Sequence, residues 1–494
     1  MIAAVRSPSN ATLNGELQEA YMVVDYDLVV IGGTLEAKEA AWTAAQAGAR
    51  VALVAPAAEL SSIRVVTPQV LRAVARPSNP FSMALDGATP RFLNWEEIKR
   101  LISMATTVSQ PHLGLNQLQE LGVDVVPAAG QFSPKPRLAV TTAERRLTAR
   151  AYLIAVGGDV LVPKIPGLEQ VPWLTPQKLL DLEAQPQRVL ILGRGGDAIA
   201  LAQALALMGS DITLVTRGPR LLPSCDHQMA QLATGILTAA GVKVHLECPI
   251  LSVHPSSAGD GVELHTETAP LTADYLTLAT GLVSDLRPLN LESLSIRPDR
   301  FGLLVDDHLR TRHRRIYACG AVLAAAQDGD FARYEAQVAV RNALYLPRRT
   351  VNYRTIPRQI PTLPEIAWVG LSERQAHRWY GAAAQAFSLP LGASLKAHLQ
   401  DQTSGLCKLI VHENGEILGG HWVGPQAAEM IQILALFMQQ GGRCQHLDQF
   451  PALVHSWGEL LQRSAHLWQQ RRWQPGRWRR DWAENWFNWR RSSQ

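Results

Sequence analysis

The sequence predicts an α/β protein built from two repeated strand–glycine turn–helix–strand units, with a smaller α+β domain after them. Three observations carry this. The stretch "YDLVVIGGTLEAKEAAWTAAQAGARVALVAP", from Tyr26 to Pro56, opens the pattern. "RVLILGRGGDAIALAQALALMGSDITLVTRG", from Arg188 to Gly218, repeats it after a long insert. From about Arg354 the texture changes to short strands and helices, as in "CKLIVHENGEILGGHWVG" with a hairpin at Glu413-Asn414-Gly415.

In the first unit, Leu28 to Ile31 is a short apolar strand. Ala37 to Ala47 is an alanine-rich helix capped by Gly48, and Val51 to Val54 is the next strand. A tight turn between strand and helix aims the first backbone N–H groups of the helix at a phosphate. Those donors have no partner inside the helix and sit at the positive end of its dipole. The turn reads Gly32-Gly33-Thr34-Leu35-Glu36-Ala37, where glycine is expected at the first, third and sixth places. A side chain on Thr34 crowds a place where only glycine lets the backbone approach a diphosphate. Glu36 adds a negative charge that suits the helix dipole but repels phosphate.

The second unit reads strand, Gly193-x-Gly195-x-x-Ala198, helix, cap at Gly209, strand. Alanine at the third place is an accepted variant, so the fingerprint is nearly intact. Gly193, Arg194, Gly195 and Gly196 form the diphosphate turn, and Arg194 adds positive charge. After the second strand, Thr216 stands where an acidic residue would bind a ribose hydroxyl, and Arg217 follows it. An arginine there suits a 2′-phosphate and favours NADP over NAD; its alternative role is a solvated loop charge. One fingerprint of this kind is weak. Two, each between the correct strand and helix, specify two Rossmann-like dinucleotide-binding domains.

The chain has 494 residues, 47% hydrophobic and 18% charged, which is an ordinary globular composition with room for several cores. No apolar run reaches the roughly 18 residues of a membrane-spanning helix. Residues 1–25 read as a loose, disordered leader, or as a start site placed too early. Cys225, Cys248, Cys319, Cys407 and Cys444 are isolated from one another, with no C-x-x-C and no zinc-type pair. They read as reduced thiols of a cytoplasmic protein, and no metal site is expected.

The charge is unevenly placed. Residues His466 to Gln494 hold seven arginines against Asp481 and Glu484, a charge of +5 within a total of +4, which leaves −1 for the rest. Trp478, Trp482, Trp486 and Trp489 form one stripe on a helix, with Arg479 and Arg490 beside it. Such a stripe docks on the protein's own body or a second copy, or meets a membrane surface or a protein partner. Nucleic acid is disfavoured. On a membrane the protein would be peripheral.

Several landmarks also agree in order and spacing: "DLVVIGG", "PKIPGLE", "LILGRGGDAIALA", "LATGL", "LRTRHRRIYACGAV" and "LPEIAWVGLSERQA". Together they resemble the pyridine nucleotide–disulfide oxidoreductases, the group of dihydrolipoamide dehydrogenase, glutathione reductase and mercuric reductase. The resemblance covers Tyr26 to Ala465. It implies an FAD domain at 26–170 and 290–350, an NAD(P)-binding domain at 171–289 and a dimerisation domain at 351–465, hence a homodimer. The tail, 466–494, lies outside the pattern. Cofactor contacts are implied at Gly32, Gly33, Thr34, Gly157, Gly320 and Ala321, and at Gly193, Arg194, Gly195, Gly196, Arg217 and Gly281.

The departures bear on function. The family's working disulfide is a C-x4-C pair just after the second strand, followed by Pro-Ser-Lys. Here the region reads "ELSSIRVVTPQVLRAVA", with Leu60 and Val65 at the sulfur positions and Gln69 at the lysine. Without two thiols, electrons cannot pass by thiol exchange. The glutamate that pairs with that lysine becomes Ala200. The general-acid histidine becomes Val454, and the neighbouring His455 reads as a surface or interface histidine. The ribose-binding acid of the FAD domain becomes Ala55, and the late Gly-Asp becomes Gly320-Ala321. No catalytic residue is assigned. Two functions follow. One is an FAD/NAD(P) oxidoreductase without disulfide chemistry. The other is a non-catalytic paralogue that senses nucleotide or serves as a scaffold through its basic tail. They divide on whether the first turn retains FAD or has lost it.

Overall fold

Apolar runs bounded by glycine turns build a five-stranded parallel sheet in the order Ile316–Ala318, Ala149–Ile154, Tyr26–Ile31, Val51–Val54, Asp124–Val126. Leu28 to Ile31 and Val51 to Val54 are buried throughout, as expected where helices cover both faces of a parallel sheet. The computed structural model describes residues 24–60, 94–109, 111–256, 259, 261–299, 302–323, 329–474 and 478–492. Residues 1–23 and 61–93, the latter including Val65 and Gln69, lie outside the described residues.

The first strand begins at Tyr26 and the first helix at Leu35, each two residues earlier than the sequence pattern suggests. Thr34 sets the helix start: its hydroxyl accepts the Ala37 N–H at 3.2 Å. The stretch Gly302 to Val322 contains one strand, Ile316–Ala318. At its start Leu303 makes only a bridge to Leu323. The strand Ile316–Ala318 joins the first sheet from beyond the second unit, so this sheet is assembled from two separated stretches of chain.

The second sheet is also parallel, in the order Lys243–His245, Asp211–Val215, Arg188–Gly193, Tyr275–Ala279, Trp173–Leu174. Its helix Gly196–Leu207 is buried from Ala198 to Leu205, which explains an alanine- and leucine-rich sequence with almost no polar face. The third sheet is antiparallel, in the order Arg358–Ile360, Glu365–Gly370, Ile417–Gly424, Leu406–His412, Ala384–Pro390. The expected hairpin turn is present, with the Gly415 N–H donating to the His412 carbonyl at 2.8 Å.

The second and third sheets share a core. Ile360, Ile366, Trp368 and Val423 pack with Val189, Ile199 and Leu214. A buried charge cluster crosses the same boundary. Lys408 Nζ lies 2.9 Å from Asp226 Oδ1 and 2.6 Å from Glu373 Oε2, and the Lys408 and Asp226 side chains are only 1% and 2% exposed. Asp226 also accepts the N–H groups of Gln228 and Glu373, each at 3.1 Å. Removing one partner of such a pair strands the other charge in a poorly solvated place. Lys408→Met is therefore expected to lower stability by about 3 kcal/mol. Urea unfolding followed by circular dichroism checks this; a change within experimental error would mean that Asp226 is satisfied by its backbone donors alone.

Candidate functional site

The first turn is built by close backbone approach. Gly32 sits at φ +128°, and a Cβ there would strike the Ala155 backbone of the neighbouring strand end. A Cβ on Gly33 would come within 2.7 Å of Glu59. Gly157 lies beside the Thr34 methyl group, and Gly320, at φ +78°, faces Glu36. Gly32, Gly33, Thr34, Gly157 and Gly320 thus converge on one spot, with Ala321 following in the short helical turn Gly320–Val322.

That spot is filled by the chain's own oxygens. The Thr34 hydroxyl donates to the Ala155 carbonyl at 2.9 Å while accepting from Ala37. The Gly33 N–H, which a diphosphate would otherwise accept, donates to Glu59 Oε2 at 3.4 Å. Glu36 Oε1 lies 2.5 Å from where a Gly320 Cβ would stand. Glu335, fully buried, accepts the Gly320 N–H at 2.8 Å and the Tyr353 hydroxyl at 2.7 Å. Burial pushes the Glu335 carboxyl up to about 7, and the neighbouring Glu36 charge adds to the rise. Lys38 holds the segment after the second strand in place by donating to the Leu60 carbonyl at 2.7 Å.

The second turn is open. No side chain caps the helix Gly196–Leu207, whose N-cap is Gly195. A Cβ on Gly195 would meet nothing within 4 Å, whereas one on Gly193 would strike the Ala279 carbonyl and the Ala198 methyl group. Gly196 packs against Ile360 of the third sheet. The Arg194 guanidinium lies against Gly218, next in sequence to Arg217, and the Leu222 N–H donates to the Arg194 carbonyl at 2.9 Å. Thr216 is buried and accepts the Gly218 N–H at 3.2 Å, so its hydroxyl is turned into its own loop. A cleft of about 720 Å³, lined by Pro219, Arg220, His227, Thr234 and Leu246, opens beside this loop. Gly281, grouped with the cofactor contacts from sequence, follows the strand Tyr275–Ala279, whose last residue pairs with Gly193. The Gly281 carbonyl accepts the Leu161 N–H at 2.9 Å, and Leu282–Val283 pairs with Asp159–Val160. The chain leaves the second sheet there.

The remaining positions carry no redox chemistry of their own. Ala55 and Ala200 are buried core residues. His455 is exposed, and its backbone N–H donates to Glu459 at 2.9 Å, so Glu459 holds the backbone at this position. All five cysteines are buried and free. Burial pushes the Cys225, Cys407 and Cys444 thiols up to about 12, and Cys319 well above its ordinary value. Sequence reasoning missed Glu59, Glu335 and Tyr353. A signal for Glu335 was present: it falls between Phe331 and Ala339 at helical spacing, a charge on a buried stripe.

A family model described as pyridine nucleotide-disulphide oxidoreductase matches residues 26–343, and that of its dimerisation domain matches residues 356–456. The chain belongs to the pyridine nucleotide–disulphide oxidoreductase family. Mercuric reductase of Staphylococcus aureus is 30% identical over 435 residues, spanning 84% of this chain and 78% of that protein. Glutathione reductase of Nostoc sp. is 26% identical over 449 residues, spanning 86% and 96%. The Cu(II) complex of the HOCl-induced flavoprotein disulfide reductase RclA from Escherichia coli matches with a TM-score of 0.76 at 25% identity, over 90% of this chain and 100% of that one.

Family members are FAD-dependent and take electrons from NAD(P)H, in agreement with the cofactors expected from the two turns. The dimerisation-domain match supports homodimer formation. The second turn fits NAD(P) as it stands. The first keeps the backbone seat for the FAD diphosphate, but Glu36 and Glu59 lie in it, so FAD fits with those side chains turned out.

Two predictions follow from the first turn. Replacing the carboxylates, Glu36→Gln with Glu59→Gln, is expected to raise FAD affinity by about tenfold, since each removes an anion from beside the diphosphate. Quenching of FAD fluorescence on titration measures it, and an unchanged affinity would show that the carboxylates do not control the seat. The second concerns pH. Glu335 holds its proton up to about 7 in the fold but only to about 4.5 in the unfolded chain. The fold binds the extra proton between those values, so this group's contribution to stability falls as pH rises through that window. Buried His421, lowered to about 4 from 6.5, works in the opposite direction and costs stability as pH drops. Glu335→Gln should therefore gain on the wild type as pH rises from about 4.5 to about 7 and hold level above it. Thermal midpoints of both proteins across that range give the answer; a constant difference would contradict the assignment.

Proposed function

We propose that this chain is an NAD(P)H-binding, FAD-type oxidoreductase of its family that does not run dithiol–disulfide exchange. The observation that carries the reading is the state of its thiols. The five cysteines are isolated in sequence and buried, and four of them have thiols raised far above neutrality. Exchange needs an accessible thiolate and a second thiol to resolve the mixed disulfide. When bound, FAD supplies a two-electron relay between the nicotinamide and an acceptor, and that acceptor would come from outside the protein. The chain's own part is to hold the dinucleotide. The uncapped helix at Gly195 takes the diphosphate, and Arg217, with Arg194 beside its loop, takes a 2′-phosphate.

A second reading, a non-catalytic dimer that senses NAD(P), is favoured by Glu36 and Glu59 lying in the FAD seat. The two readings divide on flavin. Purified protein titrated with FAD and then NADPH, followed by visible absorption, should show a flavin spectrum that NADPH bleaches. NADPH-dependent reduction of glutathione disulfide or lipoamide should be absent. Turnover of either disulfide would sink the main reading, whereas a protein that binds NADPH but stays colourless with FAD would leave the sensor. On the cofactor side, Arg217→Ala is expected to weaken NADPH binding by about tenfold and leave NADH binding unchanged. Equal losses for both would make Arg217 a general support of the loop.

A further inference from the structure

The C-terminal helix Trp478–Ser492 presents an aromatic ridge that nothing described above uses. Trp482, Trp486 and Trp489 are 62%, 43% and 58% exposed. Their rings pack on one another: Trp482 and Trp486 stack with centroids 6.0 Å apart and planes 6° from parallel, and Trp486 and Trp489 lie 5.1 Å apart. The ridge is thus a preformed, exposed slab. At about 100° per residue the three tryptophans fall within about 60° of one another, and Arg490 lies about 40° beyond that arc. Asp481 and Glu484 fall outside it, and Glu484 is already paired with Arg480 at 2.7 Å. Arg490 therefore flanks the aromatic face, while Glu484 lies on the opposite side of the helix with Arg480 and Arg491.

We propose that this face binds an anionic phospholipid surface, lying in the plane of the headgroups. Tryptophan rings favour that layer because they combine a large apolar body with one N–H donor, and arginine supplies attraction to lipid phosphate. The helix lies on the surface rather than crossing it: its 15 residues span only about 22 Å, and no helix among the described residues is long and apolar enough to cross a membrane. A second copy docked ridge to ridge is a poorer match, since each tail carries a charge of +5. The anchor is close to the folded body, because the preceding helix Trp457–Arg472 buries Trp468 in the core of the third domain and places Arg472 over its ring at 4.4 Å.

The test is co-sedimentation of the full chain with vesicles of phosphatidylcholine alone and of phosphatidylcholine with phosphatidylglycerol. The wild type is expected to pellet with the second and at least about tenfold less with the first. Two variants, Trp482→Ala/Trp486→Ala/Trp489→Ala and Arg490→Glu, should each lose at least about tenfold in binding to the anionic vesicles. Both change exposed positions, so thermal midpoint and elution volume should match the wild type. Failure of the wild type to pellet with either vesicle overturns the proposal, as does equal pelleting by the tryptophan variant. A tryptophan variant that elutes as a monomer would also overturn it, by assigning the ridge to the contact between copies. The inference stands independently of the oxidoreductase reading.

Discussion

A helix whose N-terminus points at the ends of a parallel sheet leaves backbone N–H groups with no partner inside the helix, and something must accept from them. Both nucleotide units of this protein meet that demand, and they meet it differently. At Thr34 the chain supplies the acceptors itself, through the threonine hydroxyl at the cap and Glu59 on the Gly33 N–H. At Gly195 it supplies no side chain. The same local geometry thus has a side-chain cap in one unit and a glycine N-cap without one in the other. The roles argued for the two cofactor seats follow from that difference.

The open turn depends on more than its own unit. Gly196 packs against Ile360, and Gln203 on the same helix bonds both backbone groups of Leu363 at 2.6 and 2.7 Å. The Lys408–Asp226–Glu373 cluster reinforces the same boundary, and Asp226 caps the helix that lines the neighbouring cleft. The third domain matches the family's dimerisation domain, and it packs against the second turn through Ile360.

The chemistry left out is as physical as the chemistry kept. A thiol exchanges electrons only as a thiolate, and burial in apolar surroundings removes that form. Cys319 lies in the strand-end core beneath Glu36 and Glu335, two carboxylates that raise its pKa further. Glu335 itself is tolerated in the core because Gly320 and Tyr353 donate to it and because burial favours its neutral form.

By itself the sequence determined the architecture. Hydrophobic runs of strand length, alanine-rich helices and glycine turns are local signals. They placed the two dinucleotide units, a third domain of α+β texture and the glycine turns at Gly32–Gly33 and Gly193–Gly196. It also determined that no C-x4-C pair follows the second strand, which is a matter of composition rather than geometry. Only the tertiary structure decided what fills the first turn. Glu59 follows the second strand and Glu335 lies some 300 residues beyond Glu36, so no local pattern could bring them to one seat. Burial decided the rest. The segment just after Gly281 pairs with Asp159–Val160, more than a hundred residues earlier. Trp482, Trp486 and Trp489 of the tail are exposed, and exposure is a property of the whole molecule that sequence periodicity does not contain.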